Sequence, residues 1–103
     1  MKIDGFDWDS GNLMKNEKKH GISHDLIESF FHQKPLVGPD LKHSHAEDRF
    51  IALGKDAHGK HMIVAFTFRN SEKVGKLIRP ISARYMHQKE VLKYEQAFAK
   101  NEK

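Results

Sequence analysis

The sequence predicts an α+β domain: an antiparallel β-sheet of four or so strands, with two N-terminal helices and one C-terminal helix packed on it. Three observations predict this. Two stretches near the N-terminus carry helix caps and helical apolar spacing, and a series of apolar stretches from Leu36 to Ala83 is broken by short polar or glycine-containing turns. The last charged segment then returns to helical spacing. Strands joined by short connections pair antiparallel, and helices cover the sheet that results. At 103 residues the chain has room for one core, so residues 1–103 read as a single domain without linker or internal repeat.

Each element has a local reason. Ile3, Phe6 and Trp8 form a short first strand flanked by Asp7 and Asp9. Asp9 or Ser10 caps a helix running to about Lys19; Lys18, Lys19 and His20 load its last turn with positive charge, and Gly21 supplies the left-handed residue that ends it. Ser23 caps a second helix, whose Leu26, Ile27, Phe30 and Phe31 share one face, and Pro35 stops it. Leu36–Asp40 reads as an edge strand because Pro39 is tolerated there. His43–Asp48 is a polar loop, Arg49–Gly54 a strand and Asp56–Gly59 a turn. His61–Phe68 is apolar on both faces and reads as the central strand. Asn70–Gly75 is a hairpin loop, Leu77–Ala83 the last strand, and His87–Lys100 a helix with Val91, Tyr94 and Phe98 on its inner stripe. Asn101–Lys103 reads as a disordered end.

Composition excludes several classes of function. Cysteine is absent, so there is no disulfide frame or thiolate chemistry. No apolar run approaches the ~20 residues that a membrane span needs, and the N-terminus lacks a signal-peptide core; a soluble, cytoplasmic protein without membrane contact is expected. Lys and Arg total 18 against 14 Asp and Glu, a formal charge of +4, which fits nucleic acid or an acidic protein partner. Eight histidines add charge as pH falls through ~6.5.

The arginines are the most specific signal. Arg69, Arg79 and Arg84 stand on or at the ends of stretches that otherwise read as buried strand. A guanidinium is always charged and costly to desolvate, so in such places it calls for an anion, and a phosphate backbone is the first to consider. Alternation along Leu77–Ala83 puts Arg79 and Arg84 on opposite faces unless the strand bulges between them, and Pro80 is where a bulge would fall.

Read together, Phe6-Asp7-Trp8-Asp9, Lys19-His20-Gly21-Ile22-Ser23, Glu47-Asp48-Arg49, Gly54 and Ile78-Arg79-Pro80-Ile81-Ser82-Ala83-Arg84 resemble the BrnT-type ribonuclease toxins of bacterial type II toxin–antitoxin modules. The resemblance covers almost the whole chain in motif order. It departs from the family pattern at Pro80, which stands in place of a β-branched residue, and in a longer 70–75 loop. It implies a RelE-like fold, an RNA substrate, and a BrnA-like antitoxin partner with a ribbon-helix-helix domain. Operator DNA would be met only through that antitoxin complex.

RNA can be cut without a metal or other cofactor, because its own 2′-hydroxyl attacks the neighbouring phosphate. The protein must then move two protons and stabilise a dianionic phosphorane. Arg69 and Arg79 are the leading candidates for the charge, with Lys19 and His20 at the first helix end as further catalytic candidates. Trp8, Arg49, Arg84, Thr67 and Tyr85 are candidate RNA contacts. Each has an ordinary alternative: Trp8 as core, His20 as a helix cap, the arginines as salt-bridge partners of Glu47, Asp48 or the last helix, and Thr67 and Tyr85 as structural hydrogen-bonders. Asp40, His43, His45 and Glu47 have ligand-like spacing but read as a solvated loop, so no metal site is assigned. The competing function is a non-catalytic, degenerate basic module that docks an acidic partner or nucleic acid without cutting it.

Overall fold

The computed structural model describes residues 3–12, 18, 20–42 and 48–101, with side chains up to 97. The elements are β1 (Gly5–Phe6), α1 (His24–His32), β2 (Leu36–Pro39), β3 (Phe50–Lys55), β4 (His61–Ser71), β5 (Gly75–Tyr85) and α2 (Gln88–Asn101). Helical residues at 10–12, 18 and 20 lie between β1 and α1. The strands form one five-stranded sheet in the order β1-β5-β4-β3-β2. The architecture is α+β, as the sequence predicts, with β4 central and the Pro39 strand at an edge.

The sheet is mixed rather than antiparallel. β1 runs parallel to β5, with Gly5 opposite Leu77 and Phe6 opposite Ile78, while the other three pairings are antiparallel. The chain leaves β1 through helices and three more strands before β5 returns beside it. Asp4 N–H donates to the Lys76 carbonyl and Asp7 N–H to the Ile78 carbonyl, both at 2.8 Å, which completes that edge. The hairpin loop is also shorter than expected. β4 and β5 stay paired out to Ser71 and Gly75, leaving Glu72–Val74 as the turn. Gly75 takes φ +106°, a conformation open to glycine, and Ser71 Oγ accepts from the N–H groups of Lys73 and Val74. β5 continues past Ala83 to Tyr85, and α2 continues to Asn101, beyond the expected helix end.

The core lies on one face of the sheet. Ile27, Phe30 and Phe31 of α1 pack with Ile22 onto Ala52, Met62, Val64, Phe66, Ile78 and Ala83. Ser23 caps α1 by accepting from Leu26 N–H, and Gly21 has φ +66°, as the sequence implies for both. The other face carries α2 over only one end. There Leu36, Leu53 and Ile63 line an apolar groove with Met86, Tyr94 and Ala97. Among the contacts that hold α2 down are His61 Nε2 to Glu95 Oε1 at 2.6 Å, Lys55 Nζ 3.8 Å from the same oxygen, and a forked pair from Arg84 to Glu90 with both bonds at 2.8 Å. The other end of that face, which neither α1 nor α2 covers, holds the site.

Candidate active site

The β4–β5 register decides where the arginines go. Ala65 is opposite Ser82 and Phe66 opposite Pro80, so β5 has one extra residue at the Pro80–Ile81 step. Beyond that bulge the alternation is reset. Ile78, Pro80 and Ala83 are buried on the core side, while Arg79, paired with Thr67, and Arg84, paired with Ile63, share the opposite face. Arg69 stands on the same face, opposite Leu77. The bulge that Pro80 makes plausible from sequence is thus what brings Arg79 and Arg84 to one side.

A hollow of about 510 Å³ opens on this face, lined by Asp9, Gly11, Asn12, Arg49, Arg69, Arg79, Pro80 and Ile81. Three arginines from three different stretches of chain therefore border one cavity. Arg79 is held from the N-terminal side: its Nη2 donates to Asp9 at 2.5 Å and its Nη1 to Asp7 at 3.4 Å. These contacts spend two of the five guanidinium N–H groups. The Asp9 hydrogen bond, opposed by desolvation, raises the Arg79 pKa. Asp9 lies below the usual carboxylate range, first because of the Asn12 backbone N–H and then because of Arg79.

Asp9 does this while capping the helical segment. Its Oδ1 accepts from the N–H groups of Gly11 and Asn12 at 2.9 Å, and Asn12 Oδ1 accepts from Asp9 N–H at 2.6 Å, a reciprocal cap. Asn12 is buried, and its Nδ2 donates to the carbonyls of Asp7 and Pro80 at 3.1 Å. Sequence reading missed Asn12 as a site residue and Asp7 and Asp9 as partners of Arg79. The Asp9-x-x-Asn12 spacing, which matches a cap answered from the third helical position, was the available signal.

The remaining candidates are dispersed. Arg84 lies at the α2 end of the same face, where its pKa is raised chiefly by the Glu90 hydrogen bond. Thr67 is buried, and its Oγ1 donates to the Asp48 carbonyl at 2.6 Å. Tyr85 packs against the core, with its hydroxyl 3.4 Å from Asp56 and Lys60 over its ring; burial first, then Asp56, pushes its pKa up. Trp8 packs against the core on the α1 side, donates to Glu28 Oε2 at 2.8 Å and stacks on Phe6. His20 is exposed and is not among the residues bordering the arginine hollow. Lys19, His43, His45 and Glu47 lie outside the described residues, as does the Phe98 side chain. Asp40 is buried, and its N–H donates to the Arg49 carbonyl. Among the described residues there is no group of metal-ligating side chains, and no helix is long and apolar enough to cross a membrane.

A mixed-sheet α+β domain with guanidinium groups around one open hollow has the chemistry to hold a phosphodiester. A family profile described as "Ribonuclease toxin, BrnT, of type II toxin-antitoxin system" matches residues 8–90, and the chain belongs to that family. No curated relative matches the sequence. The matched segment begins after β1 and contains α1 and the whole of β2 to β5, with every arginine of the hollow.

Proposed function

We propose that the hollow bordered by Arg49, Arg69 and Arg79 is the active site of an endoribonuclease toxin that cuts RNA through its own 2′-hydroxyl, without a metal ion. The observation that carries this reading is the convergence of those three side chains on one cavity, on the sheet face opposite the core. A phosphorane in transit carries two negative charges, and fixed guanidinium donors stabilise it without reorganising at the moment of reaction. Asp7 and Asp9 hold one of these groups in position, which restricts where the phosphate sits. The fold is taken as RelE-like, and the antitoxin as a BrnA-like ribbon-helix-helix protein through which operator DNA is met, in the cytoplasm.

The test is cleavage of a defined RNA in EDTA. Products ending in a 2′,3′-cyclic phosphate, and loss of cutting when the nucleotide 5′ of the cut is 2′-deoxy, are expected. Cutting that stops in EDTA, or that survives 2′-deoxy substitution, overturns the mechanism. The alternative of a non-catalytic docking module is favoured by one observation, the pairing of Arg79 with two carboxylates. Intact RNA after prolonged incubation with antitoxin-free protein would decide for it.

A further inference from the structure

We infer that a second cavity beside the arginine hollow is a guanine-selecting subsite for the nucleotide next to the cut phosphate, an inference that rests on the ribonuclease reading above. This cavity, about 320 Å³, is lined by Asp48, Phe50, Thr67, Phe68, Arg69 and Asn70. Arg69 borders both cavities, so a base seated in the second lies one guanidinium away from a phosphate in the first.

The cavity exists because β4 outruns β3. β3 begins at Phe50, opposite Phe66, whereas β4 continues to Ser71. Met86 N–H donates to the His61 carbonyl, so the backbone of His61 faces β5. Alternation along β4 then turns the N–H and C=O of Phe68 and Asn70 toward the β3 side, where no strand is paired with them among the described residues. An open strand edge offers a donor and an acceptor side by side, the pattern that a base edge complements. The half-buried rings of Phe50 and Phe68, with centroids 5.1 Å apart, supply an apolar wall, and Lys76 Nζ lies 4.1 Å from the Phe68 ring centre.

Asp48 points to the base. Its carbonyl is fixed by the buried Thr67, while the residue itself is exposed at the cavity. A carboxylate on a surface that otherwise attracts phosphate repels the RNA backbone, but it accepts N–H groups from a base. Guanine alone among the four RNA bases presents two adjacent N–H donors, N1–H and N2–H, on its pairing edge. These match the two oxygens of one carboxylate. Guanine O6 is left to a backbone N–H of the strand edge.

The experiment compares guanosine with inosine, which lacks only the N2 amino group. Wild-type protein and Asp48→Asn are given two RNAs that differ at that single nucleotide, flanking the mapped cut. Binding of fully 2′-deoxy versions is measured in parallel, and the melting temperature shows that the variant is folded. Wild type should favour guanosine by about tenfold, the worth of one hydrogen bond to a charged group, and in Asp48→Asn that ratio should fall to near one. Equal handling of the two nucleotides by wild type, or an unchanged ratio in the variant, overturns the subsite. If wild type cuts neither RNA, the ribonuclease reading fails on its own. The binding arm still decides the subsite: a guanosine preference that Asp48→Asn abolishes supports it, and equal binding overturns it.

Discussion

Asn12 Nδ2 donates a 3.1 Å hydrogen bond to the carbonyl of Pro80, a residue 68 positions away in the chain. The bond explains how a proline sits in an interior strand. The Pro80 backbone points away from β4, toward the side where β1 has already ended after Phe6. A missing N–H there removes nothing from the β4 ladder, and only the carbonyl needs a partner. Asn12 provides it, and the same side chain braces the cap that orients Asp9 against Arg79.

Removing that amide should therefore cost both stability and activity. Asn12→Ala leaves the Pro80 carbonyl and the Asp9 N–H without their partner, a loss of about 1–3 kcal/mol. For a domain of this size that is a fall of several degrees in melting temperature. Asn12→Asp, which keeps the acceptor and loses the donor, should not restore it. Thermal denaturation of the two variants checks the claim, and an unchanged melting temperature in Asn12→Ala would refute it.

Glu90 makes a second, pH-dependent prediction. The Arg84 hydrogen bond, helped by the His87 N–H, lowers its pKa to about 2. A carboxyl depressed in the folded state adds stability that is fully present above its unfolded pKa of ~4.3 and lost as pH falls from there toward 2. Both side chains are about a third or more exposed, so solvent screening limits the contribution to roughly 1 kcal/mol or less. Glu90→Gln should lower stability near neutral pH and flatten the acid limb, the two curves converging near pH 2. Urea unfolding across that range measures it, and parallel curves would mean that the pair adds nothing.

The arginines separate into two groups by whether they border the hollow. Arg69→Ala and Arg79→Ala should each lower the cleavage rate by about a hundredfold or more, the effect of losing a preorganised charge at a phosphorane. Arg84→Ala should loosen α2 and lower the melting temperature while the rate per folded molecule holds, because Arg84 is tied to Glu90 of α2 and is not among the residues that border the hollow. Rates taken alongside melting curves distinguish the two groups. A variant at Arg79 that cleaves as wild type does would remove the hollow from the mechanism.

Much of this arrangement was legible in the sequence, and the rest depended on register. The Ser23 cap, Gly21, the central strand and the Pro39 edge follow from local rules that act within a few residues. The direction of β1 does not, because a two-residue strand carries no periodicity that could reveal its neighbour. Alternation alone puts Arg79 and Arg84 on opposite faces. One extra residue at the bulge reverses that, and only the pairing of Phe66 with Pro80 and of Ala65 with Ser82 shows it. Trp8 carries the same lesson: its indole could serve a base or the core, and its bond to Glu28 of α1 places it on the core side.

Asp9 provides the sharpest test of how Arg79 is used. Asparagine caps a helix about as well as aspartate, so Asp9→Asn should preserve the N-terminal cap and lower the melting temperature only slightly, through the exposed ion pair with Arg79 that it removes. It removes the nearer of the two carboxylates on Arg79. The guanidinium then has more charge to offer RNA but less to hold it in place. Binding should tighten severalfold at low salt, and the salt slope should steepen by roughly 0.7, one further phosphate neutralised on a single strand. Turnover should fall at the same time, because the released side chain no longer meets the phosphate in one fixed orientation. Titrations at three salt concentrations and single-turnover rates measure the two effects. Faster turnover in Asp9→Asn would show that the carboxylate restrains the arginine rather than positions it.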